Sequence, residues 1–151
     1  DIDRSRGLGD VYKRQEDASL DAISLEEVRS WSNFIDYKGS TNDVRPYIKR
    51  CHVYVLPSYH EGLPRSTLEA MSMGRPVITT DAVGCKETVD NGINGFIVPV
   101  RSVKKLAEKM IWFIENRDKI QIMGEQSRII VEKKFDVRII NQEMLRIMGI
   151  Q

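Results

Sequence analysis

Residues Ser58 to Pro76 read SYHEGLPRSTLEAMSMGRP. Directly before them, His52 to Leu56 (HVYVL) is β-branched and aromatic and is stopped by Pro57, the pattern of a buried strand. Pro64 suits the first helical position and Gly74 a helix C-cap, so a short helix is predicted between them. Pro76 to Thr80 (PVITT) then reads as a second strand. Strand, helix, strand in that order predicts a parallel pair joined by a right-handed crossover.

Working outward, the same alternation continues. Ser24-Leu-Glu-Glu27 fits a capping box that opens a helix to about Ser32. Phe34 to Lys38 (FIDYK) is a short strand candidate ending at Gly39. Asp43 is a candidate cap for a helix with Val44, Tyr47, Ile48 and Cys51 on one face, with Pro46 tolerable in its first turn. Cys85 to Asp90 reads as a short helix, and Gly95 to Val100 (GFIVPV) as a further apolar strand. After Ser102 the texture is helical. Val103, Leu106, Met110 and Phe113 form one stripe expected to be core, and Ile120, Met123, Ile130 and Val131 belong to the next helix. Asp136 caps a last helix carrying Val137, Ile140, Met144, Leu145 and Met148. Strands spaced by helices predict an α/β fold: a doubly wound parallel sheet, helices on both faces, ending in several helices. Ligands of such sheets sit beyond the strands' carboxyl ends. The loops Gly39 to Asn42, Ser58 to Leu63 and Asp81 to Gly84 are therefore the candidate binding loops.

The composition permits this fold and excludes several functions. In 151 residues, 41% are hydrophobic and 30% charged, enough for one packed domain. Lys plus Arg number 23 against 22 Asp plus Glu, so bulk charge points to no nucleic-acid partner. Cys51 and Cys85 form no CxxC pair, no ligand spacing suggests a metal, and reduced thiols in a cytoplasmic protein are expected. No apolar run approaches the roughly 20 residues that span a bilayer, and no signal-peptide pattern is read. Residues 1–15 (DIDRSRGLGDVYKRQ) lack a period and change texture at Glu16. They are expected to be a non-native leader, leaving 16–151 as the folded domain. Gly7-Leu8-Gly9 follows no strand and lacks the third glycine of a dinucleotide loop.

The stretch from Glu61 to Glu69 carries the chemistry. Gly62, without a Cβ, lets a ligand approach the backbone. The amides of Arg65, Ser66, Thr67 and Leu68 include donors that a helix start leaves unpaired. These amides and the helix dipole favour an anion by about 0.3–1 kcal/mol, and a diphosphate suits them. On an unbroken helix the two glutamates would lie about 80° apart in azimuth. Here Gly62 and Pro64 interrupt the chain, which leaves Glu61 in the loop and Glu69 about 7–8 Å along the helix from Pro64. Carboxylates at that separation suit the two ends of one ligand, each accepting hydrogen bonds from neighbouring sugar hydroxyls. Ribose, diphosphate and hexose occur in that order in a nucleotide sugar. The plain alternative, two solvated glutamates at a surface helix start, stays open on spacing alone.

The stretch SYHEGLPRSTLEAMSMGRPVITTDAVGCKETVDNGINGFIVPV resembles the signature region of the family-four retaining glycosyltransferases of the GT-B fold. The shared pattern is Glu-x7-Glu, then Glu-Ala-Met-x-x-Gly-x-Pro-Val, Gly-x-x-Glu and Asn-Gly-x-Asn-Gly. It covers about Asp36 to Ile150. The resemblance implies a Rossmann-like carboxy-terminal donor domain. It implies Glu61 facing the transferred sugar as the catalytic residue, and Glu69 binding ribose hydroxyls. Gly62 and Leu63 would approach sugar hydroxyls, amides around Thr67 and Leu68 would hold the diphosphate, and Ser40 with Gly39 would border the base. Gly84 and Glu87 match Gly-x-x-Glu, with Cys85 where the family often has a second glycine. No metal and no cofactor are implied, and no Asp-x-Asp motif is present.

The activity this implies is sugar transfer from a nucleotide-diphosphate sugar, UDP-sugar favoured, to a glycan or lipid-linked acceptor in polysaccharide or cell-envelope synthesis. The family's Gly-Arg element and downstream Lys have no match before Glu16, and its acceptor domain has no counterpart. The chain is therefore expected to be a donor domain incomplete at its start, inactive alone. It is expected to lie in the cytoplasm or, through the full-length enzyme, at the inner membrane face. The last helix would lack its partner, so self-association through apolar surface is expected. His60 and Arg65 are open between site and solvent, and His52 is read as structural. Two other readings are a GT-B sugar-nucleotide epimerase and a non-catalytic nucleotide-sugar-binding module. A phosphorylase would need a pyridoxal lysine, and a flavodoxin-like signalling domain an Asp and Lys pair; neither is evident.

Overall fold

The computed structural model of the chain describes residues 23–33, 35–39 and 41–150. Two compact units meet in sequence between Val44 and Arg45. The first contains α1 (Leu25–Ser30). Ser24 caps it as expected, its Oγ accepting from the Glu27 amide at 3.1 Å. The strand expected over Phe34 to Lys38 does not form at Ile35 to Lys38, which has no regular secondary structure. A strand needs a neighbour to take its backbone N–H and C=O groups, and no described strand lies in this unit. Gly39 holds a positive φ of 67°. Thr41 Oγ1 accepts from the Asp43 amide at 3.1 Å, tightening the turn that follows. Phe34, Ser40 and residues 1–15 lie outside the described residues.

The second unit begins with α2 (Arg45–Arg50) and alternates β1 (Tyr54–Leu56), α3 (Arg65–Ser72), β2 (Val77–Thr80), a 3-10 turn (Lys86–Thr88) and β3 (Gly95–Val98). Then come α4 (Val103–Glu115), α5 (Arg117–Lys134) and α6 (Val137–Ile147). The three strands are parallel in the order β1-β2-β3, with Val55 beside Ile78 and Ile78 beside Phe96. Gly95 is required at the start of β3 because a Cβ there would stand 1.8 Å from the Val77 carbonyl oxygen.

Successive strand residues point to opposite faces, and each face has its own core. On one side Met71 of α3, Val77, Val89 and the Ile130–Val131 end of α5 pack together, with Tyr54 and Ile97 against them. On the other, Ile78, Phe96 and Val98 meet Phe113 of α4 and Met123 of α5. Burying a side chain such as Val77 or Ile78 stabilises by about 1.5–3 kcal/mol. The doubly wound arrangement follows from this two-sided burial. Helix α3 ends as predicted at Gly74, whose φ is 66°. The Gly74 amide donates to Met71 O and the Arg75 amide to Ala70 O, a Schellman closure. Helix α5 crosses from one face to the other. Its Gly124 lies against Gly74, so close that a Cβ would be 2.2 Å from the Gly74 carbonyl oxygen.

Two helical stripes differ from expectation. Leu106 and Phe113 of α4 turn inward, but Val103 and Met110 are exposed. The reason is an aromatic cluster: Trp112 meets Phe96 edge-on at 4.8 Å and Phe113 at 5.2 Å, which rotates the helix toward Trp112. On α6 the whole stripe of Val137, Ile140, Met144, Leu145 and Met148 is exposed. The helix is nonetheless capped as predicted, Asp136 Oδ1 accepting from the Arg138 amide at 2.8 Å.

Candidate functional site at the carboxyl ends of the strands

The segments that follow β1, β2 and β3 are tied to one another. Thr79 Oγ1 donates to Leu56 O at 3.0 Å, and Thr80 Oγ1 donates to Ser58 O at 2.5 Å. The Glu61 amide donates to Val83 O at 3.2 Å. Gly84, with φ of 83°, fits so tightly against this loop that a Cβ would stand 1.8 Å from Gly62 O and 2.3 Å from Glu61 O. From the third loop, the Val100 amide donates to Asp81 Oδ1 at 3.0 Å, and the Arg101 guanidinium lies 5.5 Å from the Tyr59 ring centroid. Arg101 sits at a positive φ of 59°, uncommon for a side-chain-bearing residue.

Within this frame Glu61 is half-buried, and Ser58 Oγ donates to its Oε1 at 2.8 Å. Glu69 is exposed on α3 and lines a groove of about 320 Å³ with Arg45, Arg65, Leu68, Ser72 and Met73. Arg65 therefore shares a groove with the second glutamate. Gly62 and Leu63 are exposed, and His60 is exposed beside Glu61. A Cβ at Gly62 would meet nothing within 4 Å, so the protein's own packing does not require glycine there.

The donors at the start of α3 differ from the expected set. Pro64 O accepts from both the Thr67 amide at 3.0 Å and the Leu68 amide at 3.2 Å. Those two amides are thus spent inside the helix, as its first closed turn demands. The amides of Arg65 and Ser66 have no acceptor among the described residues. Thr67 is buried, and its Oγ1 has no hydrogen-bond partner among those residues.

Tyr54 lies against the start of α3, a placement that the sequence reading did not single out. Its hydroxyl donates to Ser66 Oγ at 2.7 Å. Burial pushes the phenol pKa up, the Ser66 bond opposes this, and the charges of Glu61 and Glu69 push it further up. The alternation of HVYVL gives the strand but not which face Tyr54 takes, so nothing in it links Tyr54 to Ser66.

Other residues of the pattern build the fold. Asn94 is buried, its Oδ1 accepting from the Asp90 amide at 2.8 Å and its Nδ2 donating to Thr88 O at 3.2 Å. Asn91 Oδ1 accepts from the Ile97 amide at 2.9 Å. Cys85 is fully buried, and its carbonyl accepts from Thr88 Oγ1 at 2.7 Å. Glu87 is exposed. His52 precedes β1 and lines a larger cleft of about 1010 Å³ with Val53, Arg75, Phe113 and Ile120 at the amino end of the sheet. No group of three or more His, Cys, Asp or Glu suited to a metal occurs among the described residues. No helix there is long and apolar enough to cross a membrane.

A two-sided parallel sheet with joined loops at its carboxyl edge is the Rossmann-like architecture of the carboxy-terminal half of GT-B proteins. The family described as glycosyl transferases group 1 matches residues 9–116, and the chain belongs to that family. A curated relative, the N,N'-diacetylbacillosaminyl-diphospho-undecaprenol alpha-1,3-N-acetylgalactosaminyltransferase of Campylobacter jejuni, is 30% identical over 87% of this chain and 34% of its own length. The capsular polysaccharide biosynthesis glycosyltransferase CapM of Staphylococcus aureus is 35% identical over 68% of this chain and 27% of its own. Among solved structures, Anabaena HepE in complex with UDP superposes with a TM-score of 0.76 at 26% identity, covering 83% of this chain and 35% of that one. The chain spans about a third of the length of these relatives.

Proposed function

We propose that this chain is the donor-binding half of a family-four retaining glycosyltransferase, taking its sugar from a nucleotide-diphosphate sugar, with UDP as the favoured nucleotide. The observation that carries the reading is the pair of unpartnered amides at the foot of α3, with Glu61 held by Ser58 in the loop before it and Glu69 sharing a groove with Arg65 along the helix. Glu69 accepts the ribose hydroxyls from its groove. The diphosphate takes the free amides of Arg65 and Ser66 just ahead of Thr67 and Leu68, with Arg65 beside it in the groove. Gly62 and Leu63 offer open backbone to the hexose. The unrequired glycine at position 62 supports this, since clearance there serves a guest rather than the protein.

Retaining transfer passes through an oxocarbenium-like state while the diphosphate leaves. Fixed amides at a helix start, aimed at the charge gathering on the leaving group, need no reorganisation as it forms. Glu61, held by Ser58, faces the transferred sugar on the side where the acceptor arrives. The glutamates grip opposite ends of the donor, so they do not act as a hydrolase acid and nucleophile. This reading needs no metal for transfer. The acceptor is a glycan or lipid-linked glycan, bound with the amino-terminal half of the enzyme in cytoplasmic polysaccharide or envelope synthesis. The names of the Campylobacter and Staphylococcus relatives and the UDP complex of HepE support that assignment.

The test joins the chain to an acceptor-binding half. Glu69→Ala is expected to weaken donor binding, and Glu61→Ala to slow transfer with donor affinity kept. Wild-type kinetics in both variants would refute the assignment.

A further inference from the structure

Ser66 carries two hydrogen-bond donors without a use. Its amide has no acceptor among the described residues, and its Oγ receives the Tyr54 phenol proton at 2.7 Å while donating to no described group. A hydroxyl that accepts one bond still has its own proton to give. Tyr54 is held firmly: its ring lies against the core cluster of Met71 and Val77. The phenol donates in this pair, and burial with the charges of Glu61 and Glu69 pushes its pKa up. Ser66 is half-buried at the second position of the eight-residue helix α3, where the dipole favours an anion.

We infer that the Ser66 hydroxyl donates to the donor's diphosphate and that Tyr54, by occupying the Ser66 lone pair from below, turns that proton outward. Tyr54 is a positioning residue; it touches no substrate. This rests on the donor-binding reading above and adds two side chains to it. The pair has a second effect on the same helix: it braces the first turn of α3 against β1, so the free amides of Arg65 and Ser66 keep one direction.

The experiment is calorimetric titration of the full chain with UDP, GDP and ADP, then with the nucleoside of whichever binds tightest. The variants are Tyr54→Phe, which keeps the ring, Ser66→Ala, and the two together. Ser66→Ala is expected to lose about tenfold in nucleoside diphosphate affinity, the usual effect of removing a bond to a charged group, and Tyr54→Phe to lose more than about twofold because the Ser66 proton is no longer aimed. Nucleoside affinity stays unchanged, and the double variant is no weaker than Ser66→Ala. Diphosphate affinity within twofold of wild type in either single variant overturns the inference, as does an equal loss for the nucleoside or a multiplicative loss in the double variant. If the wild-type chain binds none of the nucleotides, or binds one regardless of Glu69→Ala, the donor reading falls and takes this inference with it. Normal dependence on Glu69 with an unaffected Tyr54→Phe removes this inference alone.

Discussion

The two ends of the sheet are built on opposite principles. At the amino end lies the larger hollow, about 1010 Å³ between Arg75, Phe113 and Ile120. The residues that close this end, Gly74 against Gly124 and Asn94 with its bonds to Asp90 and Thr88, are committed to holding the chain together. Beyond the carboxyl ends lie Glu61 and the open Gly62, and the unpartnered amides of Arg65 and Ser66 begin α3, along which a smaller groove of about 320 Å³ carries Arg65 and Glu69 and reaches Ser72 and Met73. The difference teaches that volume marks where helices leave a gap, whereas a ligand site gathers several polar groups of unspent bonding capacity; at the larger hollow the buried Arg75 Nε alone is without a partner among the described residues.

The contrast can be broken most forcefully at Gly84. An alanine there would have to push its Cβ into the Gly62 carbonyl at a positive φ. The expected loss is about 3 kcal/mol of stability or a displaced loop, read by denaturant unfolding. Next in size is Glu69→Ala, expected to weaken nucleotide affinity by about 10–100-fold through lost bonds to a charged group. Arg75→Ala, at the other end, is expected to leave that affinity unchanged. Equal losses in the two variants would erase the distinction between the ends.

A finer comparison sets Gly62 beside Gly84. Since a Cβ at Gly62 meets nothing, Gly62→Ala is expected to leave the fold intact or stabilise it by about 0.4–1 kcal/mol. Donor-sugar affinity should nevertheless fall, because the methyl occupies the guest's space. A variant that binds the donor normally would make Gly62 an ordinary loop residue.

The smallest effect lies on α6. The bonds from Arg138 hold the Asp136 carboxyl at about 2, below its ordinary 3.8. A carboxyl with a depressed folded value contributes stability above its unfolded value and loses it as pH falls through the folded one. The end of α6 should therefore fray as pH drops from about 4 to about 2, seen as lost helical circular dichroism. Asp136→Asn should remove most of that pH dependence.

Much of this was legible in residue order. Periodicity, Pro64 and Gly74 announced α3 and the parallel crossover because these signals act within a few residues. The spacing of Glu61 and Glu69 suggests two ends of one ligand, which the Glu69→Ala titration tests. What stayed hidden depends on contacts far apart in sequence. The Phe34 to Lys38 strand looked right locally but has no described strand beside it in its unit, and Trp112 turned α4 away from Met110 through Phe96. The pairing of Tyr54 with Ser66 needed the strand and helix superimposed. The Thr67 and Leu68 amides looked free until Pro64 O was seen to take both.

The most direct test is titration of the nitrogen-15-labelled chain with UDP, following each backbone amide by NMR. Shifts are predicted at Gly62, Arg65, Ser66 and Glu69, with Arg75, Phe113 and Ile120 unmoved. Shifts gathered around Arg75 and Phe113, with the foot of α3 silent, would contradict the account.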